Sequence, residues 1–418
     1  MANGQILKIL ILKTLINHLG TGNITVSQSK SSGSYSQDNQ NKNVSLVINI
    51  VNSNVDLQLN YVNIDTNIIF ISSNINNELA ISGITLHEKT NFLNVSYEGE
   101  IEVEISNTNY PVWISGLTKV LTNNYYVKNS ISDAKFDIKI NTTSNLYVAG
   151  LVNRNLSGDL HNQDNSARPK ASYGIINSMN NSDINILVDN KGNTFVGGVT
   201  TMNGGTNGGT IQDSINTGNI LVINENSNGI AIFSTSAETG GVVERFDSGV
   251  FVGGISAIVT TGYSRIFDTS NSGNIIGMAN SYVRSAGILA STFRHELGSG
   301  KANLPTNYFD NTDDSINSIN KSIVSNGINY GKVQAITNQI GEYSPNNDTA
   351  TEQRIGIYAS SGGVIGYGLS TMYRMINHGE ISSTDVAGGI VGATTAWNGN
   401  PNGGWTTVFN INTAINYG

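Results

Sequence analysis

Cysteine is absent from the 418 residues, proline occurs 5 times, and charged side chains make up 12% of the chain, about half the ~25% of an ordinary globular domain. Without cysteine there is no disulfide framework and no thiolate zinc site, and the redox compartment stays open. No basic run accompanies the formal charge of -8 and the pI near 5.1. That argues against nucleic acid or anionic membrane as a main partner, because no basic run supplies the charge that neutralises phosphate. Long apolar runs are also missing. The most apolar one, Ile6 to Leu19, is broken by Lys8 and Lys13 and falls short of the ~20 residues that span a bilayer. It has no basic segment before it and no small-residue cleavage site after it, so it does not read as a secretion signal. We expect it to be a capping element, helix or strand, that covers the open end of a stack of strands, with a retained membrane anchor as the less favoured alternative.

What the chain has instead is 38% hydrophobic residues, 46 glycines, and Asn, Ser and Thr in every segment. This composition folds, and it suits turn-rich β structure better than helix. The organising stretch runs from Arg374 to Gly392. There Ile376-Asn377-His378-Gly379-Glu380-Ile381 is followed by Ala387-Gly388-Gly389-Ile390-Val391-Gly392, which reads as two short strands joined by tight turns.

Both halves recur. The turn appears as Asn216-Thr217-Gly218, Asn271-Ser272-Gly273, Asn329-Tyr330-Gly331, Asn377-His378-Gly379 and Asn416-Tyr417-Gly418, with an eroded copy expected from Ile176-Asn177. The glycine element appears as Val148-Ala149-Gly150-Leu151, Val196-Gly197-Gly198-Val199, Val252-Gly253-Gly254-Ile255, Ala286-Gly287-Ile288-Leu289, Gly362-Gly363-Val364-Ile365-Gly366 and Gly388-Gly389-Ile390-Val391-Gly392. Their spacing of roughly 40 to 60 residues is that of propellers and solenoids. Asn bonds its own backbone, Gly supplies positive φ, and the flanking Ile returns the chain to the core. Stacked copies predict an Asn ladder, and Ile220, Ile275, Val333 and Ile381, at one offset from the turn glycine, predict an inward column. Six repeats of about two coils each predict a rod on the order of 60 Å at ~4.8 Å per coil.

Three regions follow: 1–43, a cap and Ser/Asn-rich linker; 44–124, a β-strand region that is either a small sandwich or irregular first coils; and 125–418, the repeat solenoid with loop insertions. In the second region, Val55-Leu57-Leu59-Tyr61 and Ile101-Val103-Ile105 alternate with Asp56, Gln58, Glu102 and Glu104, the pattern of half-buried strands.

At the glycine element the chain resembles the GLUG-motif repeats of bacterial surface proteins, whose signature is a short Gly-apolar-apolar-Gly unit. Gly363-Val364-Ile365-Gly366 and Gly389-Ile390-Val391-Gly392 match it, whereas Gly287-Ile288-Leu289-Ala290 and Gly150-Leu151-Val152-Asn153 lack the final glycine. The resemblance covers roughly Tyr125 to the end. It implies an all-β, right-handed parallel β-helix, extracellular or on the cell surface, in an adhesin or related envelope protein, with no catalytic residues.

Long insertions separate the strands: Glu225 to Gly249, Phe293 to Asp314, Asn338 to Gln353 and Ala393 to Gly404. Insertions in repeat proteins collect on one side and form the working face. Tyr308, Phe309, Tyr343, Trp397 and Trp405 fall in or beside them, where exposed rings suit sugar stacking or anchoring of a protein partner. The competing reading is that these rings pin their own loops to the coil.

Right-handed β-helices include glycan-cleaving enzymes, so acid pairs are candidates. Phe309-Asp310-Asn311-Thr312-Asp313-Asp314 resembles the acidic motifs of polygalacturonases, but in that family the two motifs come from separate coils, here Asp313 would serve both, and no Arg-Ile-Lys follows. Three aspartates also supply too few oxygens for the six to eight of a calcium site, so the cluster reads as a solvated loop. His378 is a variable turn residue, and Asn203 to Gly209, lacking calcium-repeat aspartates and a phosphate-loop lysine, is a flexible turn. The expectation is a non-catalytic bacterial surface or secreted solenoid acting in adhesion or surface assembly. It needs no cofactor or metal, its partners are a host or neighbouring-cell glycan or protein or further copies of itself, and the repeat region does not insert into membrane. The alternatives are a polysaccharide-active lyase or glycoside hydrolase, and a motility-appendage or phage-fibre component.

Overall fold

A computed structural model describes residues 23–24, 31–36, 44–45, 56–158, 171–204, 208–226, 231–236, 241–246, 248–259, 264–292, 323–338, 358–368, 371–393 and 411–418. Every regular element among them is a strand. All the strands but one antiparallel pair form three parallel sheets, each visited once per turn of the chain: a wide sheet, a middle sheet of nine strands and a narrow sheet of seven. One coil shows the plan. Thr210–Gln212, Ile215–Asn216 and Ile220–Asn224 lie in the wide sheet, Val250–Gly253 in the middle one and Ser256–Val259 in the narrow one. The next coil repeats it with Arg265–Phe267, Ser270–Asn271, Ile275–Ala279, Val283–Ala286 and Leu289–Thr292. The protein is thus an all-β stack of parallel coils, a β-solenoid.

The parallel ladder is continuous from Asn63–Ser72 through Ser96–Thr108 and Ile131–Thr142 to Asp183–Asn190. The alternation read at Ile101, Val103 and Ile105 is inward, all three being buried. Tyr61 is not part of that pattern. It is 68% exposed and has φ 57°, because it stands at a corner and not in the strand before it. The inward column is present: Ile220, Ile275, Val333 and Ile381 pair in register, the first three buried and Ile381 packed half-buried against the core. It extends upstream through Ile184, Phe136, Ile101 and Ile68, where the turn motif that marks it has eroded.

The Asn ladder is also present, and its register corrects two expectations. Asn180, Asn216, Asn271, Asn329, Asn377 and Asn416 are joined in order by amide-to-carbonyl hydrogen bonds of 2.7, 2.7, 2.8, 2.8 and 2.7 Å. Directly bonded rungs mean that each repeat is one coil, not two, so the nine strands of the middle sheet span only about 40 Å along the axis. The upstream copy of the turn is Asn180-Asn181-Ser182, with Ser182 in the glycine place, and not a unit beginning at Ile176-Asn177. Nor do the turn glycines supply positive φ: Gly218, Gly273, Gly331 and Gly379 lie outside the left-handed region, and they are glycine because a β-carbon would meet the carbonyl of the same turn position in the preceding coil.

Asn177 belongs to a second turn. It shares its column with Asn94, Asn129, Asp213, Asp268, Asn326, Arg374 and Thr413, all at φ between 48° and 64°, each following a residue paired in register with its neighbours. Asn and Asp tolerate this left-handed region; Arg374 and Thr413 are held there by the flanking parallel pairs.

The two sequence signatures meet across the interior. A β-carbon added to Gly198, Gly254, Gly287 or Gly363 would overlap the amide of Asn216, Asn271, Asn329 or Asn377 on the facing wall and the carbonyl of the same glycine corner in the next coil. The glycine corner is glycine because the Asn ladder fills the space a side chain would need. In the middle sheet, alternate residues serve different cores. Leu146, Val148, Val250 and Val252 join the main cluster against the wide sheet. Trp113, Tyr147, Phe195 and Phe251 stack on the other face at 3.8, 5.3 and 4.9 Å, where Met202 and Ile258 of the narrow sheet cover them. Arg284 follows Phe251 in that column, buried between Tyr282 at 3.6 Å and Tyr367 at 4.2 Å.

Candidate interaction surface

Tyr308, Phe309, Tyr343, Trp397 and Trp405, the ring positions singled out by sequence, lie outside the described residues, as do Asp310, Asp313, Asp314 and the segment 6–19. The described flanks do fix where the insertions depart. Glu225 to Gly249 and Asn338 to Gln353 leave between the wide and middle sheets, and Phe293 to Asp314 and Ala393 to Gly404 leave after the narrow one. They use two corners rather than one side. Within the first, Ala231–Ser236 and Gly241–Phe246 form an antiparallel hairpin. The stretch Asn203 to Gly209, read as a flexible turn, has anchored ends: Asn203 accepts from Asn155 at 2.9 Å and donates to the Gly209 carbonyl at 3.0 Å.

The surface that the described residues do build is the outer face of the wide sheet. Inward Ile, Val and Asn alternate with outward residues, and parallel register stacks the outward ones into columns about 4.8 Å per rung. The middle position of the Asn-x-Gly turn heads one column. Asn181, Thr217 and Ser272 give way to Tyr330, His378 and Tyr417, whose rings stack at 5.0 and 4.8 Å within 2° and 5° of parallel. Tyr330 and Tyr417 are 54% and 66% exposed. His378 is therefore the centre of an exposed aromatic stack, with both ring faces covered.

Upstream the same column is acidic, since Asp65 pairs with Glu98 and Glu98 with Asp133. These carboxylates, with Asn67, Lys135, Asn181 and Asp183, line a depression of about 430 Å³. Lys135 bonds Glu100 at 2.9 Å, and that hydrogen bond raises its pKa, as does the surrounding carboxylate charge. Beneath the depression Tyr97 is buried, and burial together with the charge of Asp65 holds its phenol above its ordinary value. At the corner, Tyr125 donates to Asp56; desolvation first, then that bond and the carboxylate charge, push its pKa up to about 12.

Next along each strand the outward positions change character from coil to coil. Glu102, Asp137 and Asn185 are followed in register by Leu221, Ile276 and Gln334, and Glu104, Lys139 and Leu187 by Ile223, Met278 and Ile336. Sequence reading missed this face because the strands carrying it are separated by unequal intervals. Among the described residues, no group of three or more His, Asp or Glu side chains is arranged to hold a metal ion, and no helix is long and apolar enough to cross a membrane. Comparison with known protein families, with curated proteins and with solved structures returned no match to this chain.

Proposed function

We propose that this chain is a non-catalytic bacterial surface or secreted protein in which the solenoid is a rigid scaffold for adhesion or for assembly of a surface structure. The observation that supports this reading most is the constancy of the coil beside the variability of what leaves it. Successive ladder asparagines are 36, 55, 58, 48 and 39 residues apart in the chain, yet their amides stay 2.7 to 2.8 Å from the next rung. A scaffold that absorbs such length changes without a shift of register is suited to displaying loops. Exposed side chains stacked like with like also favour contact with an extended partner over chemistry, which needs unlike groups converging on one point. The resemblance to GLUG-motif repeats points the same way.

The test is binding of the purified chain to cell surfaces and to a glycan panel, beside turnover assays on acidic polysaccharides. We expect saturable binding without turnover, and at least tenfold weaker binding when Tyr308, Tyr343, Trp397 and Trp405 are replaced by Ala, with unchanged circular dichroism. Turnover that is lost on replacing Asp310, Asp313 and Asp314 would overturn this reading in favour of a glycan-cleaving enzyme.

A further inference from the structure

The outer face of the wide sheet is divided into two halves of different chemistry. Over the strands Ser96–Thr108, Ile131–Thr142 and Asp183–Asn190 the outward carboxylates are Glu98, Glu100, Glu102, Glu104, Asp133, Asp137, Asp183 and Asp189, facing two lysines, Lys135 and Lys139. Lys135 is tied to Glu100 at 2.9 Å and Lys139 lies 3.9 Å from Asp137, and eight carboxylates against two lysines leave this half of the face with a formal excess of six negative charges. Over the adjoining strands Ile220–Asn224, Ile275–Ala279 and Val333–Thr337 no outward position is charged. Leu221, Ile223, Ile276, Met278 and Ile336 occupy them instead, half-buried, with Leu187 at the junction 38% exposed.

Outward Leu, Ile and Met in register on a sheet face contribute nothing to the core, which the residues alternating with them already fill. A contiguous apolar patch rimmed by polar groups, here Asn185, Asp189, Gln334 and Glu225, is what an interface presents. The acidic half beside it selects the partner: like charge is repelled, and a cationic surface is steered in and held in register. We propose that this face docks a protein partner that presents an apolar strip bordered by lysines or arginines, the apolar strip lying on Leu221, Ile223, Ile276 and Met278 and the basic border on Glu102, Glu104 and Asp189. Six rungs at about 4.8 Å and strands of about eight residues give a face of roughly 25 by 25 Å. With the partner's matching area that approaches the ~1,200 Å² of the smaller specific interfaces. The inference deepens the proposed binding role and rests on it.

The probe is a labelled synthetic peptide of alternating Leu and Lys, compared with one of alternating Leu and Glu, titrated with the full chain by fluorescence anisotropy. We expect the Lys peptide to bind and the Glu peptide not to. Replacing Leu221, Ile223 and Met278 by Gln should weaken binding about tenfold, and Glu102→Gln, Glu104→Gln and Asp189→Asn together should do the same and flatten its salt dependence. Glu78→Gln with Glu88→Gln, away from the face, should change nothing. Because all these side chains point outward, circular dichroism should match the parent for every variant. Equal weakening by the Glu78 and Glu88 pair, no effect of the apolar set, or no binding of the Lys peptide would overturn the proposal. If the chain still adheres to cells in that event, the adhesion reading stands and only its assignment to this face falls.

Discussion

Asn271 accepts from Asn216, donates to Asn329 and donates to the carbonyl of Gly273 at 2.8 Å, all out of contact with water. Asn271→Ala therefore strands three polar groups, and at about 1–3 kcal/mol for each buried group left unpaired we expect a loss of several kcal/mol in urea unfolding. Asn416→Ala, at an exposed rung, should cost under about 1 kcal/mol. Equal losses would mean that the ladder is not the internal support described here. Gly254→Ala should cost about 1–3 kcal/mol by overpacking, because the new methyl meets the Asn271 amide and the Gly287 carbonyl. In an Asn271→Ala background the same change should cost less, a coupling that a double-mutant cycle reads directly. Tyr125 adds a pH dependence. Its phenol binds its proton more tightly in the folded chain than when unfolded, so its contribution to stability is complete below pH 10 and is lost as pH rises through about 12. Asp56→Asn should bring its ultraviolet titration back toward the ordinary value; an unchanged titration would remove Asp56 as a cause.

At the scale of the element, the coil needs little chain to close. Residues 204–209 link the narrow sheet to the next coil after Asn203, and 368–370 do so after Tyr367. Replacing residues 293–322 by a six-residue Gly/Ser linker should therefore leave the melting curve cooperative and change stability by only about 1 kcal/mol, the scale of loop entropy. Loss of the folded signal would show that the insertion is part of the coil. Which elements were legible follows from the same geometry. The Asn-x-Gly turn and the Ile after it could be read because each rung repeats one residue type for one physical reason, a hydrogen-bond ladder or an inward position. The left-handed corner at Asn177, Asp213, Asp268, Asn326 and Arg374 could not, since its rungs share a conformation and not a chemistry. That is why Ile176-Asn177 resembles a copy of the Asn-x-Gly turn in sequence but stands in the other column. The buried ring stack did leave a signal, an aromatic residue between aliphatic or β-branched neighbours in Val112-Trp113-Ile114, Leu146-Tyr147-Val148, Thr194-Phe195-Val196 and Val250-Phe251-Val252. It becomes readable only once the glycine element that follows is used to align the rungs.

For the molecule as a whole, the candidate surface was hidden because neighbours on it are neighbours in register, 33 to 58 residues apart in the chain. Leu221 and Ile276 become adjacent only when each repeat is a single coil; two coils per repeat would interleave other strands and dissolve both the acidic and the apolar halves. The absence of native cysteine allows that register to be tested cleanly. Thr217 and Ser272 follow the paired Asn216 and Asn271 and precede the paired Ile220 and Ile275, so their α-carbons lie about 4.8 Å apart, inside the ~4.4–6.8 Å that a disulfide bridges. Thr217→Cys with Ser272→Cys should oxidise to an intramolecular disulfide in the folded protein, while Thr217→Cys with Tyr330→Cys, two rungs apart at about 10 Å, should not. A disulfide in the second pair and none in the first would contradict the one-coil repeat and the surface built on it.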